Sequence, residues 1–113
     1  MIMLPFHEEF PFNAGRLAFA PLFSDRVEDI VLAADVLLRV QVPPGAQIVA
    51  FSFDGDVRVR CGGAETSLGL PAASSTDGTG SVLNPALRRL PAGATHLCLR
   101  AANACKGSLE FWS

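Results

Sequence analysis

The sequence predicts an all-β protein, a single antiparallel β-sandwich of jelly-roll or Greek-key type with an extended N-terminal arm. Segments with strand character recur roughly every 8–12 residues, and glycine and proline separate them. No segment keeps a sustained helical pattern. The chain of 113 residues fits one domain with a single core. We therefore expect an arm at residues 1–23 and a sandwich domain at residues 24–113.

Composition excludes several classes of function. Half of the residues are apolar and 18% are charged, which is typical of a globular protein. Nine Lys and Arg against eleven Asp and Glu give a net charge of −2, so no basic field favours nucleic acid. The first five residues lack the basic start of a signal peptide. The most apolar run, 30–42, is too short to span a bilayer, and we expect no membrane partner.

The first 23 residues combine phenylalanines with prolines, and prolines at this density prevent a continuous helix. Two interpretations of this arm remain open. It either closes the core of its own domain, or it places aromatic rings on a neighbouring subunit. For the second interpretation, the predicted contact residues are Phe6, Phe10 and Phe12.

The next elements lead to a repeated corner. Residues 24–29 are either a capped helical turn or a polar loop, and a buried strand is expected at 30–34. The segments Pro43-Pro44-Gly45-Ala46 and Pro91-Ala92-Gly93-Ala94 each lie between two strand-like runs. Proline cannot donate a ladder hydrogen bond and glycine adopts unusual φ angles, so each segment ends one strand. The chain is thus predicted to contain two related β-units with equivalent corners.

Alternation of apolar and polar residues predicts strands at 48–53 and 57–61, and Asp54-Gly55 between them predicts a hairpin. Residues 62–86 predict a long surface excursion with one short edge strand near 68–70. The second unit supplies strands at 87–90, 95–101 and 108–112, with Arg100 and Glu110 facing out as a possible cross-strand pair.

Trp112 lies on the outer phase of the last strand, one residue from the end. It is either a lid on the edge of the sandwich or part of an interface, and it joins the predicted partner contacts. Both roles suit an aromatic side chain, which buries a large apolar area and has one polar group to pair.

Residues that could carry chemistry are sparse. His7 and His96 are the only histidines, too few for a histidine-based metal site. Asp54 and Asp56 fit turn formation better than calcium ligation. The three cysteines lack metal-finger spacing and predict reduced thiols, although one disulfide remains an alternative. We expect no catalytic residue, cofactor or metal, and predict that the protein is not an enzyme.

Several short motifs follow one another in a characteristic order between residues 30 and 113. They are Val42-Pro43-Pro44-Gly45-Ala46, 51–60, Asp77-Gly78-Thr79-Gly80-Ser81, Leu83-Asn84-Pro85, Arg88-Arg89-Leu90-Pro91, Gly93-Ala94-Thr95-His96-Leu97 and Ser108-Leu109-Glu110-Phe111-Trp112. With these motifs, residues 30–113 resemble small virion proteins of tailed bacteriophages, the single-domain β-sandwiches that decorate or cement capsids. This resemblance implies a non-enzymatic structural protein that assembles as a homotrimer in the host cytoplasm. Its implied partner is the major capsid protein, and its implied location is the virion.

Two other classes of function compete with this one. A carbohydrate- or receptor-binding sandwich on a tail or capsid spike would need an exposed groove with aromatic platforms. A small jelly-roll hydrolase would need two facing carboxylates, and the sequence does not place Glu65 and Glu110 opposite each other. The hydrolase is the weakest of the three hypotheses.

Overall fold

The computed structural model describes residues 21–113, which form two four-stranded antiparallel sheets and no helix. The all-β class and the antiparallel sandwich predicted from the sequence are confirmed. The arm predicted at residues 1–23 lies almost wholly outside the described residues. The strands are β1 (Val27–Leu32), β2 (Leu38–Gln41), β3 (Ile48–Phe53), β4 (Arg58–Gly62), β5 (Val82–Leu83), β6 (Leu87–Arg89), β7 (His96–Arg100) and β8 (Cys105–Trp112).

The two sheets contain strands that are distant in sequence. Sheet one has the order β1-β8-β3-β6, and sheet two has the order β2-β7-β4-β5. The first strand therefore pairs with the last, the second with the seventh, the third with the sixth and the fourth with the fifth. Inward-facing side chains of both sheets form one core. Its buried members are Ile30, Leu32, Val42, Val49, Val57, Val59, Leu97, Leu99, Ala101, Cys105, Leu109 and Phe111.

The two Pro-x-Gly-Ala segments are equivalent corners, as predicted. The first connects β2 in sheet two to β3 in sheet one, and the second connects β6 in sheet one to β7 in sheet two. In each, the alanine N–H donates to the carbonyl of the first proline, at 3.1 Å for Ala46 and 3.2 Å for Ala94. Gly45 and Gly93 both have φ of 85°, which fits the third position of a type II turn.

The corners also bond to each other in a reciprocal way. The Val42 N–H donates to the Thr95 carbonyl at 2.8 Å, and the Leu90 N–H donates to the Gln47 carbonyl at 2.7 Å. Val42 precedes the first corner as Leu90 precedes the second, so the two bonds are counterparts. The strand order shows the same correspondence. When each strand of sheet one is replaced by the strand four positions away in the chain, the order β1-β8-β3-β6 becomes β5-β4-β7-β2, which is the order of sheet two read in reverse. The two related β-units predicted from the sequence are therefore confirmed as an approximate internal two-fold arrangement.

We expect Gly45→Ala and Gly93→Ala each to lower the free energy of unfolding by about 1–2 kcal/mol, because a side chain disfavours positive φ. Urea denaturation of the single variants measures this. Gly69→Ala is the control, since a Cβ at Gly69 meets nothing within 4 Å and its φ is not in the left-handed region. A loss as large in the control as in the corner variants would contradict the assignment.

The hairpin predicted at Asp54-Gly55 is wrong. β3 belongs to sheet one and β4 to sheet two, so the connection crosses between the sheets. The hydrogen bonds of β3 go to β6 and β8 instead, with Phe53 opposite Gly107. An Asp-Gly turn reverses the chain in either arrangement, and local sequence does not specify which strand the next segment will pair with.

Two smaller expectations also need correction. No strand forms at 68–70, where Leu68 is instead buried and accepts a hydrogen bond from Arg100 through its carbonyl. Arg100 and Glu110 lie in different sheets, and Arg100 pairs with Asp35 at 2.9 Å. Both errors have the same cause, since a side chain's partner is set by long-range strand pairing. Of the two alternatives for residues 24–29, the polar loop leading into a strand is the one observed.

Candidate functional site

A cleft of about 760 Å³ lies between β3 of sheet one and the start of β4 in sheet two. Its apolar wall comes from Phe51 and Phe53, which are half-buried, and from Val57 and Val59, which are buried. Phe51, Phe53 and Val59 lie on the inward-facing side of their strands, and Val57 directly precedes β4. The volume falls within the range of about 300–1,000 Å³ that is typical of small-molecule sites.

Two polar side chains at the mouth of the cleft, those of Asp56 and Asn84, are hydrogen-bonded to each other and to the backbone. Asp56 accepts a hydrogen bond from the Asn84 amide at 2.9 Å. The Asn84 side-chain oxygen accepts from the Val57 N–H at 2.8 Å, and the Asn84 N–H donates to the Val57 carbonyl at 2.9 Å. Asn84 has φ of 50°, a conformation that asparagine tolerates better than most residues. These bonds tie the end of β5 to the start of β4.

Asp54 is held against β8 at the same mouth. Its carboxylate accepts from the Lys106 N–H at 2.9 Å, and its own N–H donates to the Lys106 carbonyl at 3.0 Å. The ion pairs found in residues 21–113 are Arg26 with Glu28 and Arg100 with Asp35. Neither Asp54 nor Asp56 takes part in them, so both carboxylates line the cleft without a cationic side chain as partner in this part of the chain.

The three cysteines are free thiols, which confirms the interpretation preferred from the sequence. Burial raises the pKa of Cys105, and the negative charges of Asp54 and Asp56 raise it further. Burial also raises the pKa of Cys61, with a smaller contribution from Cys98. A raised thiol pKa keeps the group protonated at neutral pH, which makes these cysteines poor nucleophiles.

A second, smaller cavity of about 150 Å³ shares Phe51, Val59 and Pro85 with the cleft. It lies toward the corner that contains Leu90 and is mostly apolar, with Arg88 and Arg89 also on its wall. The two cavities together mark the side of the sandwich where the short edge strands β5 and β6 leave the core partly open. The larger cavity is the one with polar groups at its mouth.

The outer face of sheet two carries four arginines that contact the excursion at residues 63–81. Each donates to a backbone carbonyl of that excursion at 2.8–3.2 Å. This arrangement gives the excursion a fixed position without any strand pairing and uses the arginines as structural donors. The pairs are Arg39 with Thr66, Arg58 with Ser81, Arg60 with Thr79 and Arg100 with Leu68.

Four apolar side chains are exposed on the segment that leads into β1 and on β1 itself. Leu22 is 66% exposed and Phe23 is 91% exposed. Val27 and Val31 on β1 are also exposed, and they pair with Glu110 and Lys106 rather than with core residues. Their side chains therefore stand on the outer face of sheet one. We call these four residues the entry surface.

Trp112, assigned to partner contacts from the sequence, is only 2% exposed. Its indole N–H donates to the Leu22 carbonyl at 3.1 Å, and the Ser24 hydroxyl donates to the neighbouring Phe111 carbonyl at 2.5 Å. The incoming chain thus contacts the ring on the outer face of sheet one. Trp112 is buried within its own subunit, and we place no partner contact on it. Strand periodicity assigned its face correctly but could not show what covers that face.

The other predicted contact residues, Phe6, Phe10 and Phe12, lie outside the described residues. Sequence reasoning missed the cleft, although it described some of its members. Phe51 and Phe53 were expected within a strand, and Asp54 and Asp56 were expected in a turn. Their convergence depends on β3 and β4 lying in different sheets, which the predicted hairpin did not allow.

Among residues 21–113 there is no group of three or more His, Cys, Asp or Glu side chains that could hold a metal ion. The same part of the chain contains no helix able to cross a membrane. Within it the cleft and the entry surface are the strongest candidates for binding. Comparison with protein-family models, with curated proteins and with solved structures finds no match to this chain.

Proposed function

We propose that this protein is a non-enzymatic structural component of a phage virion, a decoration or cement protein that binds the major capsid protein. The observation that supports this function is the entry surface, in which two residues that precede β1 and two valines of β1 are all exposed. Large exposed apolar patches are uncommon on monomeric proteins and usually mark an interaction site, and in the proposal the arm joins these residues into one patch. The arm residues Phe6, Phe10 and Phe12 extend this surface in the proposal.

The strand order supports the same proposal at the level of fold class. We propose that the domain is a jelly roll, an assignment supported by the pairing of the first strand with the last, and inward to the fourth with the fifth. This architecture is frequent in viral capsid and lectin domains, but a fold alone does not determine function. We therefore base the proposal on the entry surface and treat the jelly-roll assignment as support.

A decoration protein would stabilise the particle by linkage. A ligand that binds the assembled shell in preference to free subunits shifts the equilibrium toward the shell. Stable association needs about 800 Å² of buried area per partner, which the entry surface and an apolar arm would supply together. We propose assembly in the host cytoplasm as a homotrimer, with the major capsid protein as the partner on the virion.

We expect Phe23→Ser to weaken binding to capsids of the encoding phage by about tenfold, because a central aromatic residue contributes strongly to an interface. Co-sedimentation of the full chain with purified capsids measures this. Val36→Ser is the matched control, since Val36 is 53% exposed but lies outside the entry surface.

Two further measurements separate the parts of this proposal. Deletion of residues 1–12 should also reduce capsid binding, while circular dichroism of the truncated chain retains the all-β signature. Native mass spectrometry should find three copies of the full chain. If Phe23→Ser and the deletion both bind capsids like the unaltered chain, the entry surface and the arm do not carry the interaction and the proposed function fails.

A further inference from the structure

The cleft at Phe51 and Phe53 has a distinctive combination of groups. Two half-buried phenyl rings form its wall, and two carboxylates, those of Asp54 and Asp56, stand at its mouth. No cationic side chain of residues 21–113 forms an ion pair with either carboxylate. The entry surface proposed for capsid binding shares no residue with the cleft. A role for the cleft would therefore go beyond the proposed function.

The charges at the mouth of the cleft favour a ligand with a positive charge. Asp54 and Asp56 lie in one loop, and their carboxylates repel an anion and attract a cation. The attraction is strongest when the cation is in direct contact with a carboxylate. The negative potential is also felt by the buried Cys105 thiol, since Asp54 and Asp56 both raise its pKa. Asp54 and Asp56 are exposed, so each contribution is modest and salt screens it.

The rings determine what kind of cation fits. The face of a phenyl ring attracts an ammonium or guanidinium group through its quadrupole. The apolar surface of the ring also packs against the carbon chain that carries the charged group. A hydrated metal ion has no such carbon chain. Hydrogen bonds from the Phe51 N–H to the Ala86 carbonyl and from Asn84 to Asp56 hold both sides of the mouth in place. The site is therefore largely preformed.

We propose that this cleft binds an organic cation, an ammonium group on a short apolar chain, with Asp54 and Asp56 as its anionic partners and Phe51 and Phe53 as its apolar wall. Such a group comes from two sources, a free alkylamine or a lysine side chain of a partner protein. The ammonium group and its carbon chain are the same in both sources. A lysine of a partner protein differs in that its main chain can add further contacts.

NMR titration of the full-length protein tests the proposal with matched probes. n-Butylammonium chloride should shift the backbone amide signals of Phe53, Asp56 and Asn84, with a Kd of about 1 mM at low salt. n-Butanol, which has the same chain without the charge, should bind at least about fivefold more weakly. Addition of sodium chloride should weaken the binding of n-butylammonium and leave that of n-butanol unchanged.

Isosteric variants assign the effect to the carboxylates. Asp54→Asn and Asp56→Asn should each raise the Kd for n-butylammonium about threefold, and the double variant about tenfold. The amide oxygen of each asparagine still accepts the hydrogen bonds from Lys106 and Asn84, so the fold is preserved. Asp29→Asn is the control, because Asp29 is exposed on β1 and does not line the cleft.

A second variant tests the location without altering charge. Ala86 is exposed on the wall of the cleft, and only its backbone carbonyl is used by β3. Ala86→Phe should place a ring in the cleft beside Phe51 and reduce the shifts caused by n-butylammonium. Retention of those shifts in Ala86→Phe would place the binding elsewhere and overturn the proposal.

The remaining outcomes distinguish the sources and the competing ligand. Tighter binding of N-acetyl-lysine N-methylamide than of n-butylammonium would identify a protein lysine as the ligand, and equal or weaker binding would identify a free amine. Binding of methyl β-galactoside in the cleft with no preference for n-butylammonium over n-butanol would overturn the proposal and favour a carbohydrate site. Absence of shifts in the cleft with n-butylammonium at about 100 times the expected Kd would also overturn it.

Discussion

Replacement of Gly107 by valine is expected to lower the free energy of unfolding by about 3 kcal/mol, through overpacking at the centre of sheet one. Gly107 lies on β8 opposite Phe53 of β3 and Ile30 of β1. A Cβ built at this position collides with the Ser52 carbonyl oxygen and comes within 2.6 Å of the Phe53 Cα. Both are backbone atoms, so a rotamer change cannot relieve the clash and the strands must separate.

Equilibrium urea denaturation, followed by tryptophan fluorescence, measures the loss. Gly80→Val provides the control, since a Cβ at Gly80 meets nothing within 4 Å and the expected change there is within about 0.5 kcal/mol. The same variant should also disturb the cleft, because the Phe53 ring lies over Gly107 with its Cδ2 2.8 Å from the added Cβ. If Gly107→Val unfolds at the same urea concentration as the unaltered protein, β8 and β3 are not as closely packed as described.

Truncation of the central aromatic residue, Phe111→Ala, is expected to cost about 3–5 kcal/mol. Phe111 is fully buried in the core and stands opposite Val49 on the neighbouring strand. Removal of its ring loses apolar burial and leaves a cavity that rigid strands on both sides cannot close. For a protein whose total stability is typically about 5–15 kcal/mol, this is a large fraction of the whole.

Thermal and urea unfolding of Phe111→Ala, compared with Val36→Ala, test this expectation. Val36 is 53% exposed and lies outside the strands, so its truncation should change the free energy of unfolding by less than about 0.5 kcal/mol. A loss below about 1 kcal/mol in Phe111→Ala would show that the ring does not fill the core in solution.

The sequence located most of the strands because the signals for them are local. Alternation of apolar and polar residues marked β3 and β4 to within one residue of their observed bounds. Proline and glycine marked the two corners, and both corners have the positive φ that explains their glycines. The face of Trp112 was also correct, since side-chain direction follows from the period of two along a strand.

Strand partners could not be predicted in the same way. β1 pairs with β8 across nearly the whole chain, as in Leu32 with Cys105, and nothing near either residue specifies the other. The Asp54-Gly55 turn reverses the chain both in a hairpin and in a crossing between sheets, so the hairpin prediction was wrong. The excursion at 63–81 was expected as surface, but its attachment through arginine side chains had no periodic signal.

The sequence by itself therefore determined the all-β class, the position of most strands and the paired corners, because these depend on local backbone preference and on the period of apolar residues. The tertiary structure alone decided that β3 and β4 enter different sheets, which places Phe51, Asp56 and Asn84 around one cleft. It also decided that the incoming chain covers Trp112. Both outcomes depend on contacts between residues far apart in sequence, and the local pattern of apolar and polar residues does not indicate such contacts.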